Sequence, residues 1–167
     1  GLNDQAKFFD NEKPETQQIT ETMGFEWGRD DYVLELTKEE LLTSEKRRAK
    51  VIPKEAKGVI GYNTGCSLLF PYKKFTVKRA IELIKGWRNE FPEHAVVLLG
   101  GPEDTERQKL MKNAFENDPY VINTPTTDGL RNGIVWMNIA DTVFSGCSLG
   151  MHIAIGLKKH VTAWFGV

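Results

Sequence analysis

Residues 142–157 read Thr-Val-Phe-Ser-Gly-Cys-Ser-Leu-Gly-Met-His-Ile-Ala-Ile-Gly-Leu and contain the strongest indication of the fold of this chain. The segment begins with the apolar strand pattern 142–144, continues through the small residues 145–150, and ends in a stretch of helical character. This is the pattern of a strand, a tight turn and a helix start. The first turn of a helix presents unpaired backbone N–H groups and the positive end of the helix dipole. The segment therefore predicts a binding site for phosphate or another anion at the end of a strand.

Similar units precede this segment along the chain. Apolar runs predict strands at 58–62, 95–99, 120–122, 142–144 and 161–165. Amphipathic stretches separate these runs, which is the pattern of strands buried on both faces with helices between them. The alternation predicts an α/β fold with a parallel, Rossmann-like sheet and helices on both faces.

The connecting helices carry recognisable start and stop signals. The helix between the first two strands has Thr76 as its expected N-cap and ends at Pro92. The next helix contains Leu110 and Phe115. The third contains Leu130, Ile134 and Met137, and we expect Thr126 or Thr127 to cap it.

The first fifty residues are more polar than the rest of the chain and predict a separate organisation. Pro14 and Gly24 bracket a short helix over 15–23. A second helix is expected to begin at Thr37, because Glu40 lies three residues on and completes a capping box. We therefore divide the chain into residues 1–50, a linker at 51–57 and a sheet domain at 58–167.

Bulk composition excludes several classes of function. The chain has 167 residues, of which 40% are hydrophobic and 27% charged, and its net charge is -1. This balance gives no support for a general nucleic-acid binder. No apolar run approaches the roughly twenty residues of a membrane span, and no signal peptide is recognisable. The two cysteines fit a reduced, cytoplasmic protein, and the start at Gly1 is compatible with a piece of a longer protein.

Three loops that follow strand ends carry the candidate chemistry, namely 63–67, 100–106 and 145–152. The carboxyl ends of parallel strands share one edge of the sheet, so we expect these loops to meet there. A helix dipole contributes about 0.3–1 kcal/mol to anion binding, whereas micromolar affinity requires about 8 kcal/mol. A cation must therefore assist, and Lys73 and Lys74 are the available ones.

A second interpretation concerns Gly146-Cys147-Ser148-Leu149-Gly150, which satisfies the G-x-S-x-G pattern of a hydrolase nucleophile elbow. In that fold an acidic residue and then a histidine follow the serine, yet no acidic residue follows Asp141. Cys147 activated by His152 is a further candidate nucleophile. No spacing of aspartate or histidine suggests a metal site.

Taken in order, the loop motifs resemble those of the glycosyltransferase family that includes the ADP-heptose:lipopolysaccharide heptosyltransferases, family 9. Residues 63–66 and 74–76 are similar to the family's N-P-G-A-type loop and K-W-P signature. Residues 99–106 are similar to its G-G-x strand end and helical glutamate. Residues 147–154 and 158–166 are similar to its D-S/T-G-x-x-H-x-A motif and the K-P and F-G signatures that follow it.

The resemblance covers about residues 14–167 and implies a nucleotide-sugar site made of Thr64, Gly65, Cys66, Ser67, Lys74, Glu106, Asp128, Cys147, Ser148, Leu149, Gly150 and His152. The helix start at 148–150 would cradle the donor diphosphate with help from 64–67. Lys74 would stabilise the leaving nucleoside diphosphate, Glu106 would bind the ribose hydroxyls, and the loop around Asp128 would contact the base. We expect no cofactor and no metal.

The implied architecture is one half of a two-domain GT-B-type glycosyltransferase, with the general base in the other half. The implied reaction transfers a sugar from an ADP-heptose-like donor to a hydroxyl of a lipopolysaccharide core or another glycan. The implied location is the cytoplasm, at the inner face of a membrane that the other domain would contact, and this chain alone is expected to be inactive.

Cys147 and Leu149 depart from the family's aspartate and small residue. An inactive nucleotide-binding or scaffold module is therefore the alternative, and a Ser148 hydrolase is the third interpretation.

Overall fold

The computed structural model describes residues 5, 9–67, 69 and 71–165, so Gly166 of the F-G signature lies outside the described residues. The chain divides into two compact units, Gly1–Tyr32 and Val33–Val167. The first unit contains helix α1 (Glu15–Thr22), which follows Pro14. Gly24 lies just beyond its end and has a φ of +82°, a conformation that favours glycine. The predicted helix between Pro14 and Gly24 is confirmed.

The second unit alternates strands and helices along the chain. Its helices are α2 (Lys38–Val51), α3 (Val77–Glu90), α4 (Thr105–Asn113), α5 (Leu130–Met137) and α6 (Leu149–Gly156). Its strands are β1 (Gly58–Asn63), β2 (His94–Leu99), β3 (Val121–Asn123), β4 (Thr142–Gly146) and β5 (His160–Trp164). Two short 3-10 turns, Pro71–Lys73 and Pro102–Asp104, precede α3 and α4.

The strands form one parallel sheet with the order β3-β2-β1-β4-β5. The predicted α/β Rossmann-like fold is thereby confirmed. The strand order reverses direction between β1 and β4, which is the topological switch point where ligands bind in such sheets. Asn63 at the end of β1 pairs in register with Leu99 of β2 and Ser145 of β4. The loops that follow these three strands therefore begin at the same level of the sheet edge.

Both faces of the central strands β1 and β2 are buried, as their continuous apolar runs predicted, whereas the edge strand β5 is partly exposed. On β2, Ala95, Val97 and Leu99 face one core, which α5 and α6 complete through residues such as Met137 and Ala154. The alternate residues of β2 face a second core, whose other members come largely from β1, α3 and α4: Tyr62, Ala80, Ile84, Met111 and Phe115. Helices thus cover both faces.

Tyr62 lies in the second core and makes the stability of the fold sensitive to alkali. Its ring packs against those of Trp87 and Phe144, which also contact each other. Burial raises the pKa of Tyr62 from 10.0 to about 12, although nearby Arg107 opposes this rise. Between these values the unfolded chain has lost a proton that the folded chain retains, so the free energy of unfolding falls as pH rises. A shift of two pKa units corresponds to roughly 2–3 kcal/mol.

We therefore expect the stabilising effect of neutral Tyr62 to be complete below about pH 10 and lost by about pH 12. Urea denaturation of the native chain and of Tyr62→Phe across this interval measures it, since all other titrating groups are common to both. The variant should lose less stability with rising pH. Parallel losses in the two proteins would contradict the assignment.

The capping signals were correct for two of three predicted helix starts. Thr37 and Glu40 form the reciprocal capping box of α2, and the Thr76 hydroxyl caps α3. The predicted cap of α5 is wrong, because Gly129 with a φ of +87° occupies the N-cap position rather than Thr126 or Thr127. The positive φ is a conformation that glycine adopts without strain, so the chain turns into α5 later than predicted.

Helix α2 is part of the same compact unit as the sheet. Arg48 forms two 2.8 Å hydrogen bonds with Asp141, just before β4. Arg131 at the start of α5 binds Glu40, and this contact together with the Thr37 amide lowers the pKa of Glu40 to about 2.

The linker at 51–57 stays a prediction. None of the helices in the described part of the chain combines the length and apolar character needed to cross a bilayer.

Candidate functional site

A cleft of about 560 Å³ opens at the carboxyl edge of the sheet, beside the switch point between β1 and β4. Its volume lies within the usual range of small-molecule sites. All three predicted loops contribute to it, together with the loop after β3 and one side of α5. The residues from the loops after β1 and β4 are Gly65, Cys66, Ser67, Lys73, Cys147, Ser148, Leu149 and Gly150.

Asn63 connects the two loops that flank the switch point. Its Nδ2 atom donates hydrogen bonds of 2.9 Å to the hydroxyls of both Ser145 and Ser148, and it lies 3.3 Å from the carbonyl of Gly65. A Cβ atom at Gly150 would lie 2.5 Å from this nitrogen, so glycine is needed there. Sequence reasoning placed Asn63 in the loop motif but gave it no role. Its role is to hold the start of α6 against the end of β1.

The start of α6 presents its first-turn amides at the cleft. Ser148 is the N-cap residue and lines the cleft, but its side chain makes no capping hydrogen bond. Its hydroxyl instead accepts the hydrogen bond from Asn63. The amides of the first helical turn are the groups that bind anions at helix N-termini. The strand, turn and helix start predicted for 142–157 are therefore confirmed, and the anion site there stays a prediction.

The two candidate lysines lie in different surroundings. Lys73, at the end of a 3-10 turn, lines the cleft. Lys74 does not; its Nζ atom lies 3.2 Å from Oδ1 of Asp104, and the two side chains are only 11% and 1% exposed. The leaving-group role that we assigned to Lys74 stays a prediction, and the geometry favours Lys73 for it.

A buried polar layer supports the loops from below. Asp104 accepts a 3.2 Å hydrogen bond from the amide of Gly101, in addition to its contact with Lys74. A Cβ atom at Gly65 would lie 2.2 Å from Oδ2 of Asp104, so this loop rests directly on the carboxylate. Thr64, which we predicted in the site, is buried in this layer. Its hydroxyl donates to the carbonyl of Leu99 and accepts from Gln108, so it positions the loop.

Three other predicted residues do not line the cleft. Glu106 is 81% exposed and pairs with Lys109 at 2.6 Å. Asp128 and His152 are exposed side chains outside the lining. Glu103, in the 3-10 turn before α4, is the acidic residue that shares the cleft with Asp104. The sequence could not show which carboxylate of Glu103, Asp104 and Glu106 faces the sheet edge, because a shift of one residue at a helix start changes that choice.

The side of the cleft that α5 builds is mostly apolar. Its residues come from the loop after β3, from α5 and from the neighbouring elements: Leu99, Thr126, Thr127, Gly129, Leu130, Gly133, Ile134, Met137 and Ile153. Thr126 belongs to the loop that we expected to contact the base. Its hydroxyl forms a 2.6 Å hydrogen bond with the hydroxyl of Thr105. Sequence reasoning missed α5 as a wall of the site. The four-residue spacing of Gly129 and Gly133, which places both on one side of the helix start, was the available signal.

The hydrolase interpretation finds no support in the backbone. A nucleophile elbow holds its serine on a sharp, strained turn. Ser148 instead has φ -158° and ψ 173°, an unstrained extended conformation. Among the described residues, no group of three or more His, Cys, Asp or Glu side chains could hold a metal ion.

Comparisons with known proteins give structural neighbours but no sequence family. No protein-family profile matches the chain, and no curated protein is similar enough in sequence to be counted as a relative. ADP-heptose lipopolysaccharide heptosyltransferase II of E. coli matches with a TM-score of 0.62 and 20% identity. A family 9 glycosyltransferase from Veillonella parvula matches with a TM-score of 0.63 and 20% identity. E. coli heptosyltransferase WaaC, solved with ADP-2-deoxy-2-fluoro heptose, matches with a TM-score of 0.55 and 16% identity.

These matches cover most of this chain but a minor part of the neighbours. They span 78%, 80% and 88% of this chain, and 38%, 37% and 42% of the three enzymes. At this level of identity they establish the fold. The chain therefore has the parallel α/β fold that forms one part of these glycosyltransferases.

Proposed function

We propose that this chain is the nucleotide-sugar-binding part of a family 9, heptosyltransferase-like glycosyltransferase. The observation that carries the proposal is the cleft at the β1–β4 switch point. It combines the start of α6, a lysine and an apolar wall in a fold shared with such enzymes. The motifs in loops 63–67, 100–106 and 147–154 lie at that one sheet edge, in the order in which they resemble the family.

The chemistry of the cleft suits a nucleoside diphosphate. The amides of 148–150 and the loop 65–67 offer hydrogen-bond donors to phosphate oxygens, and Lys73 offers a positive charge. Charge-assisted hydrogen bonds of this kind contribute about 1.5–3 kcal/mol each. The apolar wall of α5 suits the flat face of a base, and the Glu103 carboxylate can accept hydrogen bonds from ribose hydroxyls.

In the reaction that we propose, an acceptor hydroxyl displaces the nucleoside diphosphate in line at the anomeric carbon of the donor sugar. Negative charge then develops on the leaving phosphate, where Lys73 and the amides of α6 stabilise it. Lys74 would act indirectly, because its ammonium group holds Asp104, which in turn supports the loops at Gly65 and Gly101. The general base and the glycan or lipopolysaccharide-core acceptor would belong to a part of the enzyme outside this chain.

Cys147 supports a second candidate function, a nucleotide-binding module without transferase activity. The motif that residues 147–154 resemble begins with aspartate, and a thiol cannot replace the hydrogen bonds that a carboxylate accepts. Both candidates predict nucleotide binding. They differ in whether a longer protein containing this chain consumes a nucleotide-sugar donor.

Thermal unfolding in the presence of ADP, UDP, GDP and inorganic phosphate tests the shared claim. A ligand at one hundred times its Kd stabilises the folded state by about 2.7 kcal/mol. We expect one nucleoside diphosphate to raise the Tm by an amount that corresponds to this free energy, and phosphate to raise it much less. A shift with phosphate as large as those with the nucleoside diphosphates would show a simple anion site that does not recognise the nucleotide. No shift with any ligand would contradict the proposal.

A further inference from the structure

Both cysteines of the chain line the cleft, although they belong to different loops. Cys66 follows β1 and is buried, whereas Cys147 follows β4 and is half-buried. The Cys66 thiol lies 3.9 Å from the carbonyl oxygen of Cys147 and contacts it as a donor. Two free thiols are therefore held on facing loops across the switch point of the sheet.

Lys73 completes this cluster. Its Nζ atom lies 4.0 Å from Sγ of Cys147. A Cβ atom at Gly146 would lie 2.8 Å from the carbonyl of Lys73, so the lysine backbone packs closely against the residue before the cysteine. The amide of Cys147 is in turn bonded to the carbonyl of Trp164. A cation and a helix start beside a partly accessible thiol are the surroundings in which reactive cysteines occur.

We propose that Cys66 and Cys147 form an oxidisable dithiol site whose substrate is a peroxide. In the first step, the sulfur of Cys147 attacks one oxygen of hydrogen peroxide and the O–O bond breaks. The other oxygen leaves as hydroxide, takes up a proton and becomes water, while Cys147 becomes a sulfenic acid. In the second step, the sulfur of Cys66 attacks that of Cys147 and the S–O bond breaks. The departing hydroxide takes up the proton of the Cys66 thiol and leaves as a second water. The two thiols lose two electrons and the peroxide gains them.

Formation of the disulfide depends on how closely the two loops approach each other. A disulfide requires Cβ atoms about 3.5–4.5 Å apart. The Sγ atom of Cys66 lies 3.9 Å from the carbonyl oxygen of Cys147, so the first thiol already contacts the main chain of the second cysteine. Formation of the bond would need the Cys147 side chain and loop 65–67 to adjust. The amide and the hydroxyl of Thr64 both bond the carbonyl of Leu99, so the adjustment would fall on the residues after Thr64.

The disulfide would cross the cleft between loop 65–67 and the start of α6. Its formation would remove the space that we assign to the phosphates, so oxidation should prevent nucleotide binding. This consequence rests on the proposed function, whereas formation of the disulfide does not.

Peptide mapping without reductant tests the dithiol itself. The reduced chain is treated with an equimolar amount of hydrogen peroxide and, in a second sample, with a small molar excess. Folding is checked by circular dichroism. We expect a cross-linked peptide pair containing Cys66 and Cys147, lighter by two hydrogen atoms and restored by dithiothreitol. Cys66→Ser should accumulate sulfinic or sulfonic acid at Cys147. Independent over-oxidation of both cysteines in the native chain, or cross-links between chains only, would overturn the proposal.

A second arm measures ADP binding before and after oxidation. We expect the affinity for ADP to fall by at least about tenfold on oxidation and to recover with reductant, whereas Cys66→Ser should not show this reversible loss. Unchanged affinity in the disulfide form would overturn the blocking role. If the reduced chain binds no nucleotide, the proposed function fails, and peptide mapping still decides whether the dithiol exists.

Discussion

Replacing Asp104 by alanine is expected to lower the free energy of unfolding by about 3–5 kcal/mol. The carboxylate is 1% exposed and lies 3.2 Å from Nζ of Lys74, which is itself 11% exposed. Its removal leaves a buried ammonium group without its counter-charge. It also removes the acceptor of the Gly101 amide. Denaturation in urea, followed by fluorescence of the tryptophans, measures the loss.

Two control variants show whether the buried charge is the cause. Glu106→Ala, two residues away, removes an exposed ion pair with Lys109 and should cost less than about 1 kcal/mol. A double variant, Asp104→Leu with Lys74→Met, removes both charges and should recover much of the lost stability, because no unpaired charge remains. If Asp104→Ala costs no more than Glu106→Ala, the pair does not support the loops as described.

Replacing Lys73 by glutamine is expected to weaken ADP binding by roughly 10- to 150-fold. This range corresponds to the loss of one charge-assisted hydrogen bond of about 1.5–3 kcal/mol. Lys73 is the lysine that lines the cleft, and its position is set by the packing of its backbone against Gly146. Isothermal titration calorimetry gives the two dissociation constants directly.

Lys78 is the matched control for Lys73. It is an exposed lysine in the first turn of α3 and does not line the cleft, so Lys78→Gln should leave the Kd unchanged. Lys74→Gln should mainly lower stability through Asp104. A native Kd in Lys73→Gln, or a loss of affinity of similar size in Lys78→Gln, would refute the role of Lys73.

The sequence predicted the sheet well because its signals are local and mutually consistent. Continuous apolar runs such as 95–99 mark strands that are buried on both faces. Thr37 and Thr76 mark helix starts because their hydroxyls bond amides three residues on. Once the strands were identified as parallel, the meeting of their carboxyl-end loops followed from topology alone.

Side-chain direction at the site could not be predicted in the same way. Lys73 and Lys74 are adjacent in the sequence, and only the 3-10 turn before α3 decides that the first faces the cleft. The same holds for the acidic residues at the start of α4, where Asp104 in the preceding 3-10 turn is buried and Glu106 in the first turn of α4 is exposed. Such choices depend on backbone torsion at one or two residues and on tertiary packing.

Two-dimensional ¹H–¹⁵N NMR during titration with ADP locates the nucleotide site on the chain, because each amide reports on its own surroundings. The largest amide shifts are expected at 65–67, 100–101 and 148–150, around the β1–β4 switch point. Smaller shifts are expected at 129–134, where the apolar wall contacts the base. Saturable shifts confined to other surfaces, or no shifts at millimolar ADP, would contradict a nucleotide site in this cleft.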